Sequence, residues 1–561
     1  MKLVLLPGYR AAGRAAAGPS AERDTLGATV SPVIIIDLNL QLRRQYSMNG
    51  AVLLVVLLAV AGSECAKILA ASPFPAISHV LPLRVIVLEL AKRGHEVTYI
   101  TTDPIKKPVK NLTEVDISPA YRYLRKSFDW MEMASHEWDP VEMVWSMEDM
   151  SAPICEDGLN SPEMVDFMKS PPKFDLYIME RSLVPCFYGV AQAVGSPPMV
   201  GIVTLGAYPY THWTHGNPDN PAYSPWWIHA YSDHLSFWQR LYSSYVWLYF
   251  ILVWFNVALP KHDAILKNYF GAGVPTIYEL ERNFSLMFST NHFTESYPRP
   301  NLPNFVELTG LHIQPDTNPL PKDIQEWLDG ATEGVIYFSL GTNVLSSKMP
   351  PEKRRAFLDA FSQLPQRVLW KWETDDASDL PPNVKMSKWF PQQSVLAHPK
   401  VKVFITQGGL QSFNEATYYG VPLIGIPFMG DQHYNVEKFV AAEIGYRLQF
   451  RHVTKDTVLE AIRTVLEDPR YRENMKKLSA VYREHQAQSL PQAVWWIEYV
   501  LRHKGAPHLR SAAMDLSWYQ LLLLDVMAFI LAVAAVATFA IYSLARYLFS
   551  VMFKTKKQKT H

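Results

Sequence analysis

The chain has 561 residues, 48% of them hydrophobic and 12% aromatic, which is material for two or more folded domains. Its 53 basic residues balance its 53 acidic ones, and a formal net charge of zero gives no polycationic surface for nucleic acid. Only three cysteines occur, none joins histidines at metal-ligand spacing, and no metal is expected.

Residues 1–47 carry an Ala/Gly/Arg-rich patch and one short apolar run at 33–36, and do not read as a domain. Residues 48–66, MNGAVLLVVLLAVAGSECA, have a polar start, an apolar centre and a small-residue end. That is the layout of a secretory signal peptide, too short to span a bilayer comfortably. The expected start of the protein is therefore Met48, with 1–47 a non-native or disordered extension, and the alternative is an uncleaved extension that belongs to the chain. Beyond Cys65, a bridge between Cys155 and Cys186 is permitted in an oxidising compartment, and the spacing leaves it open.

Residues 67–71 read as a strand. A helix follows, with apolar Val85, Leu88 and Leu90 and an end at Lys92-Arg93-Gly94; residues 96–101 return as a strand. This is the first βαβ unit of a doubly wound domain. His79 stands where the first loop enters the helix, above the carboxyl edge of the sheet. A neutral imidazole there suits a general base, and the plain alternative is a structural histidine. His95 lies at a strand's amino end and reads as structural. Residues 174–179 form another strand, leaving Glu180 at its end and Asp175 near its start.

Residues 224–268 are strongly aromatic, and 241–260 run without a charge, long enough to cross a bilayer. The many Trp and Tyr and the internal Asn256 favour an interfacial or buried helix. A span here would also set the two halves of the protein on opposite sides of the membrane. Asn111-Leu112-Thr113 and Asn283-Phe284-Ser285 are glycosylation sequons. The Pro-rich residues 314–322 read as a linker between a first domain, 67–313, and a second, 323–510. At the start of the second, residues 335–340 are a buried strand. It leads to Gly341-Thr342-Asn343, a turn where Ser339 and Thr342 can add hydroxyl donors.

The densest stretch lies between Trp389 and Asn435. Residues 401–406 are a buried strand, Gln407-Gly408-Gly409 breaks it, a helix covers about 411–419, and 421–426 are the next strand. A Gly-rich turn entering a helix offers backbone N–H groups and a positive dipole end to a diphosphate. Gln407, Glu415, Asp431 and Gln432 would converge beyond the carboxyl ends of the strands, where open α/β sheets bind ligands. Helical spacing resumes at 458–466 and 471–484, and the stretch AVWWIEYVLRHKGAPHLR follows at 493–510. Residues 526–545 are uncharged and read as a transmembrane helix. The basic tail, 546–561, places itself in the cytosol and the large domains in the lumen. Lys557 and Lys559 have the spacing of a dilysine retrieval signal for the endoplasmic reticulum.

The pattern Trp-x-Pro-Gln, Phe-Ile-Thr-x-Gly-Gly, Glu-Ala, Gly-Val-Pro and Pro-x-x-x-Asp-Gln, in register from Trp389 to Gln432, resembles the signature of the UDP-glycosyltransferases. So do Pro-x-x-Ser-His ending at His79 and Phe-Ser-Leu-Gly ending at Gly341, and the resemblance covers nearly all of residues 67–553. It implies the GT-B arrangement, two Rossmann-like doubly wound α/β domains, with one C-terminal transmembrane helix. It also implies that His79 deprotonates an acceptor hydroxyl, with Glu180 holding the imidazole and Asp175 the fallback. By the same resemblance, Trp389 would stack on uracil and Gln392 bind the base. Gln407, Gly408, Gly409, Gln411 and Ser412 would serve the diphosphate, Glu415 the ribose, and Asp431 with Gln432 the sugar. Three residues depart from the usual pattern: Gln407 for His, Gln411 for Asn, and Glu180 for Asp. Gln-Gly-Gly-Leu-Gln-Ser looks like the arthropod branch of the family.

The expected reaction is inverting transfer of a hexose, glucose favoured over glucuronic acid, from a UDP-sugar to a small lipophilic acceptor, for detoxification or conjugation. No cofactor is expected beyond the UDP-sugar co-substrate, and a homo-oligomer is compatible with the reading. A membrane-anchored, non-catalytic UDP-sugar or lipophile binder on the same fold is the alternative. A nicotinamide oxidoreductase would want Gly-x-Gly-x-x-Gly after a strand, and a lipid transporter more than one confident span.

Overall fold

The computed structural model describes residues 65–127, 130–133, 139–315, 317–375 and 379–557. The expectations for residues 1–47, for the signal peptide up to residue 64, and for Lys559 lie outside these.

Two parallel sheets organise the chain. The first contains β1 (Lys67–Ser72), β2 (Glu96–Thr101), β3 (Leu112–Asp116), β4 (Leu176–Glu180), β5 (Met199–Val203), β6 (Phe284–Ser289) and β7 (Phe305–Glu307). Their order is β3-β2-β1-β4-β5-β6-β7, every pair parallel. The second contains β8 (Val335–Ser339), β9 (Arg367–Lys371), β10 (Val384–Ser387), β11 (Val401–Thr406), β12 (Leu423–Gly425) and β13 (Gly445–Arg447), ordered β10-β9-β8-β11-β12-β13. In each sheet the winding reverses beside the first strand, between β1 and β4 and between β8 and β11, which opens a crevice at the carboxyl ends there. Strands such as β4 and β5 are buried along their whole length, as helix-covered parallel strands must be.

Helix α1 (Ile77–Lys92) covers the first sheet. Its buried stripe is Leu83, Ile86, Val87 and Leu90, whereas Val85 and Leu88 are only half-buried. The expected face is thus displaced: positions 83, 86, 87 and 90 follow the i, i+3, i+4, i+7 spacing of one helix side, and 85 and 88 do not. Helix α2 (Pro140–Leu159) and helix α3 (Phe237–Val253) cover the other side. Cys155 of α2 is bonded to Cys186 in the loop after β4, which closes the question the spacing left open.

In the second domain α4 (Gln392–Ala397), α5 (Leu410–Tyr419) and α6 (Gln432–Ala441) follow the strands that feed the crevice. Gly420, at φ 71°, ends α5 in the left-handed conformation that glycine adopts at no steric cost. The pieces expected at 471–484 and 493–510 are largely one helix, α7 (Pro469–Arg502), which carries Pro491 inside it. Its second half leaves the second domain: Ala493, Val494, Ile497 and Val500 are buried with Ile68, Ala70 and Val97 in the core of the first. Arg93 Nη1 meets Glu498 Oε1 at 3.1 Å beside that contact.

Two helical stretches among the described residues are long and apolar enough to cross a membrane, Phe237–Phe270 and Leu524–Met552. The first, α3 continued through a π-helical turn, buries Val246, Phe250, Val253 and Trp254 in the first domain and exposes Phe237, Trp238, Leu241 and Leu248. The second lies within α8 (Leu524–Lys557), is exposed throughout, and is the candidate membrane anchor.

Candidate active site

A cleft of about 1020 Å³ runs between the carboxyl ends of the two sheets. Residues of both domains line it, His79 from one side and Trp389 and Asp431 from the other.

His79 enters the cleft from the first turn of α1 and Glu180 from the end of β4, a helix start and a strand end brought together at the first sheet's crevice. His79 Nδ1 lies 3.1 Å from Glu180 Oε1. The Glu180 side chain is wholly buried and the His79 ring is 12% exposed. Thr204, one residue past β5, completes a triangle, with its Oγ1 at 2.9 Å from His79 Nδ1 and 3.4 Å from Glu180 Oε1. With Nδ1–H held by the carboxylate, Nε2 is the ring nitrogen left as a base. The Phe74 ring packs on the imidazole at 4.5 Å between centroids. Asp175 does none of this: exposed at the strand's amino end, it accepts a hydrogen bond from Lys67 N at 2.8 Å. The fallback partner is thereby removed by topology. His95, at the amino edge, accepts from Ala66 N at 3.3 Å.

The second domain brings a polar network to the opposite wall. Tyr337 Oη donates to Gln392 Oε1 at 3.1 Å, and Gln392 Nε2 donates to Ser412 Oγ at 3.1 Å and Glu415 Oε2 at 2.7 Å. Gln393 Nε2 reaches Glu415 Oε1 at 3.1 Å, and His312 Nε2 stands 3.4 Å from the same oxygen. Glu415 is thus a buried carboxylate wrapped in amide donors. Trp389 is 66% exposed, a large indole face left open on the cleft wall.

Gly408, at φ 85°, has the backbone that a side chain would strain, and a Cβ there would lie 2.6 Å from Val436. The Gln407 amide occupies the space that a Cβ on Gly341 would need, and its Oε1 is buried without a partner among the described residues. Turning that amide about its last bond offers N–H instead of oxygen to a ligand. Ser339 Oγ accepts from Gly341 N at 3.3 Å, and Thr342 is exposed at the mouth of the same turn. Gln411 also lines the cleft, and its Nε2 donates to Ser78 O of the first domain at 3.0 Å, its one hydrogen bond among the described residues.

Asp431 precedes α6. Burial pushes its carboxyl up, while a hydrogen bond from Asn435 and the proximity of His79 pull it down. Gln432 Oε1 accepts from the N–H groups of Phe428, at 2.8 Å, and Met429, at 3.2 Å, which leaves its Nε2 to the cleft.

Toward the first domain the cleft is apolar. Met143, Met147 and Met150, one face of α2, join Met131, Trp227 and Tyr208. Thioethers adapt to flat or irregular apolar ligands. Sequence reasoning did not find Thr204, Tyr337, Gln393, His312 or these methionines. Asn435 was readable, since it stands one helical turn from Asp431.

Comparison with known proteins agrees with this architecture. The chain matches the UDP-glucoronosyl and UDP-glucosyl transferase family over residues 66–559. It is 38% identical to UDP-glucosyltransferase 2 of Dactylopius coccus over 470 residues, covering 84% of this chain and 90% of that protein. It is 33% identical to UDP-glucuronosyltransferase 2B15 of Homo sapiens over 502 residues, covering 86% and 93%. The calicheamicin glycosyltransferase CalG4 shares the fold, with a TM-score of 0.51 at 19% identity over 78% of this chain and 99% of that one. With two parallel Rossmann-like sheets facing one cleft in the GT-B arrangement, the chain belongs to the UDP-glycosyltransferase family.

Proposed function

We propose that the protein transfers glucose from UDP-glucose to a hydroxyl of a small lipophilic acceptor, for conjugation or detoxification. The observation that carries this reading is the His79–Glu180–Thr204 triangle at the floor of the cleft. His79 Nε2 takes the acceptor proton as the acceptor oxygen attacks the anomeric carbon from the face opposite the phosphate. The bond from that carbon to the diphosphate breaks, UDP leaves, and configuration inverts. The imidazolium formed is held by Glu180, as in hydrolase triads. Backbone N–H groups at the start of α5 and the turn at Gly341 would stabilise the departing diphosphate. Trp389 and Gln392 would take uracil, Glu415 the ribose, and Asp431 and Gln432 the sugar.

Glucose is favoured because a relative at 38% identity is named a UDP-glucosyltransferase. The methionine and aromatic wall supports a lipophilic acceptor. The apolar span Leu524–Met552 and the basic residues after it support a single-pass membrane protein of the endoplasmic reticulum with lumenal domains. The test uses microsomes carrying the wild type or His79→Ala, supplied with UDP-glucose or UDP-glucuronic acid and a panel of phenols and steroids, with products weighed by mass spectrometry. A glucoside from the wild type and none from the variant is the expected result. Equal yields from both would remove His79 from the mechanism, and a glucuronide alone would reverse the choice of sugar.

A further inference from the structure

One contact crosses the cleft beside the proposed base. Gln411, the second residue of α5, reaches over from the donor loop, and its Nε2 lies 3.0 Å from Ser78 O. Ser78 is the residue before His79, in the first turn of α1.

The carbonyl is available for a reason written in the sequence. In an α-helix the carbonyl of residue i accepts from the N–H of residue i+4. For Ser78 that residue is Pro82, inside α1, which has no N–H to give. The helix therefore leaves one acceptor unfilled at the position adjoining the base. Ser78 is half-buried, where water is a poor substitute, and a polar group left unpaired in such a place is costly. The donor that fills it comes from the other domain, two residues after the Gly408-Gly409 loop.

We propose that Gln411 is a positioning residue for the transfer: Pro82 frees the Ser78 carbonyl, and Gln411 clasps it across the cleft. The clasp fixes the first turn of α1, and with it His79, against the donor loop. It rests on the functional reading above, in which the start of α5 holds the diphosphate. A loop ordered by the donor then sets the base on the opposite wall. Small displacements of a base matter, since productive transfer needs reacting atoms within hydrogen-bond reach. The bond to Ser78 O engages one of the amide's two N–H groups, and the positioning role rests on that bond.

The experiment compares full-length wild type, Gln411→Met, Pro82→Ala and the double variant in microsomes. Met keeps the length of Gln without a donor; Ala at 82 restores the helix's own N–H. Gln411→Met should lower kcat about tenfold, the scale of one lost hydrogen bond at a positioned base, while the Kd for UDP stays within about twofold. Amide exchange in the peptide spanning residues 77–84 should quicken. Adding Pro82→Ala should recover part of both effects, since the carbonyl regains a partner; simple destabilisation predicts a further loss instead.

A Kd for UDP raised about tenfold with kcat unchanged would make Gln411 a donor ligand and overturn the proposal. So would unchanged exchange, or strictly additive losses in the double variant. The exchange measurement needs no acceptor and no turnover. Absence of any conjugate from the wild type would therefore count against the functional reading alone, and unaltered exchange against the clasp alone.

Discussion

Asn435 Nδ2 stands 2.9 Å from Asp431 Oδ2, one helical turn away, and the same nitrogen lies 2.9 Å from Gly408 O. One buried amide thus ties the acid at the start of α6 to the glycine loop. Asn435→Leu removes both bonds without removing volume. The KM for the UDP-sugar should rise by about tenfold to a hundredfold, as expected when buried polar groups lose their partner. The hydrogen bond from Asn435 also holds the Asp431 carboxyl down against the upward push of burial. Without it the carboxyl protonates sooner as pH falls, so activity at the acid end should fade at a higher pH than in the wild type. Initial rates against UDP-sugar concentration across a pH series check both expectations.

The triangle at His79 makes a graded prediction. Glu180→Gln keeps an acceptor oxygen but loses the charge that steadies an imidazolium, and kcat should fall by roughly a hundredfold to ten-thousandfold. Thr204→Val removes only the bridging hydroxyl and should cost about tenfold. UDP binding, measured by titration calorimetry, should be unchanged in both, because neither side chain belongs to the donor wall. A weakened affinity for UDP would show that the triangle supports the fold of the cleft and not the proton transfer.

Stability should depend on pH in two opposed ways. Burial pushes Glu295 from 4.5 up to about 8 and Glu281 likewise. Between those values the unfolded chain releases a proton that the native one keeps, so each group's contribution is full in acid and lost as pH rises toward 8. Burial moves His229, His292 and His433 the other way, from 6.5 down to about 4. Their contribution is present above 6.5 and lost as pH falls through that window. Melting temperature should therefore peak near pH 6.5, and Glu295→Gln should flatten the alkaline side and steepen the acid side between 4.5 and 6.5. Differential scanning fluorimetry of the wild type and that variant from pH 5 to 9, within about ±1 °C, decides it.

The two sequons are not equivalent. Asn111 Nδ2 donates to Ala91 O at 3.0 Å and the residue is half-buried, whereas Asn283 is exposed in the turn before β6. A glycan needs that nitrogen and space around it. Asn283→Gln should remove the band shift produced by glycosidase treatment of the microsomal protein, and Asn111→Gln should leave it in place. The reverse pattern on a gel would mean that the contact to Ala91 forms only in unglycosylated chains.

Much of this was legible before any coordinates. β2 and β11 have the bounds that their apolar runs and flanking glycines indicate, because a largely buried parallel strand admits little else. His79 and Glu180 were legible as a pair through the family resemblance of their motifs, and the sheet brings them together, His79 in the first turn of the helix after β1 and Glu180 at the carboxyl end of β4, which pairs with β1. Thr204 stands just past the end of β5 but belongs to no motif, and Tyr337 looks like any aromatic in a buried strand. His312 and Gln393 meet Glu415 only through tertiary packing, which carries no periodicity. The helix face at 83, 86, 87 and 90 was misread because α1 is apolar on more than one side, so that several stripes compete. Gln411 carries a donor-loop residue's place in sequence, yet its partner lies in the other domain. Only the missing N–H of Pro82, four residues after Ser78, hinted at that partner.

Because α7 lends Ala493, Val494, Ile497 and Val500 to the core of the first sheet, that sheet cannot complete itself during synthesis. The first domain emerges from the ribosome early and must wait, with an apolar face uncovered, until the second has been made. Quality control will therefore see an unfinished first domain while the second is being made. Stop codons or frameshifts that spare every residue of the cleft but fall before residue 493 should yield chains retained and degraded for a fault in the half that was translated in full.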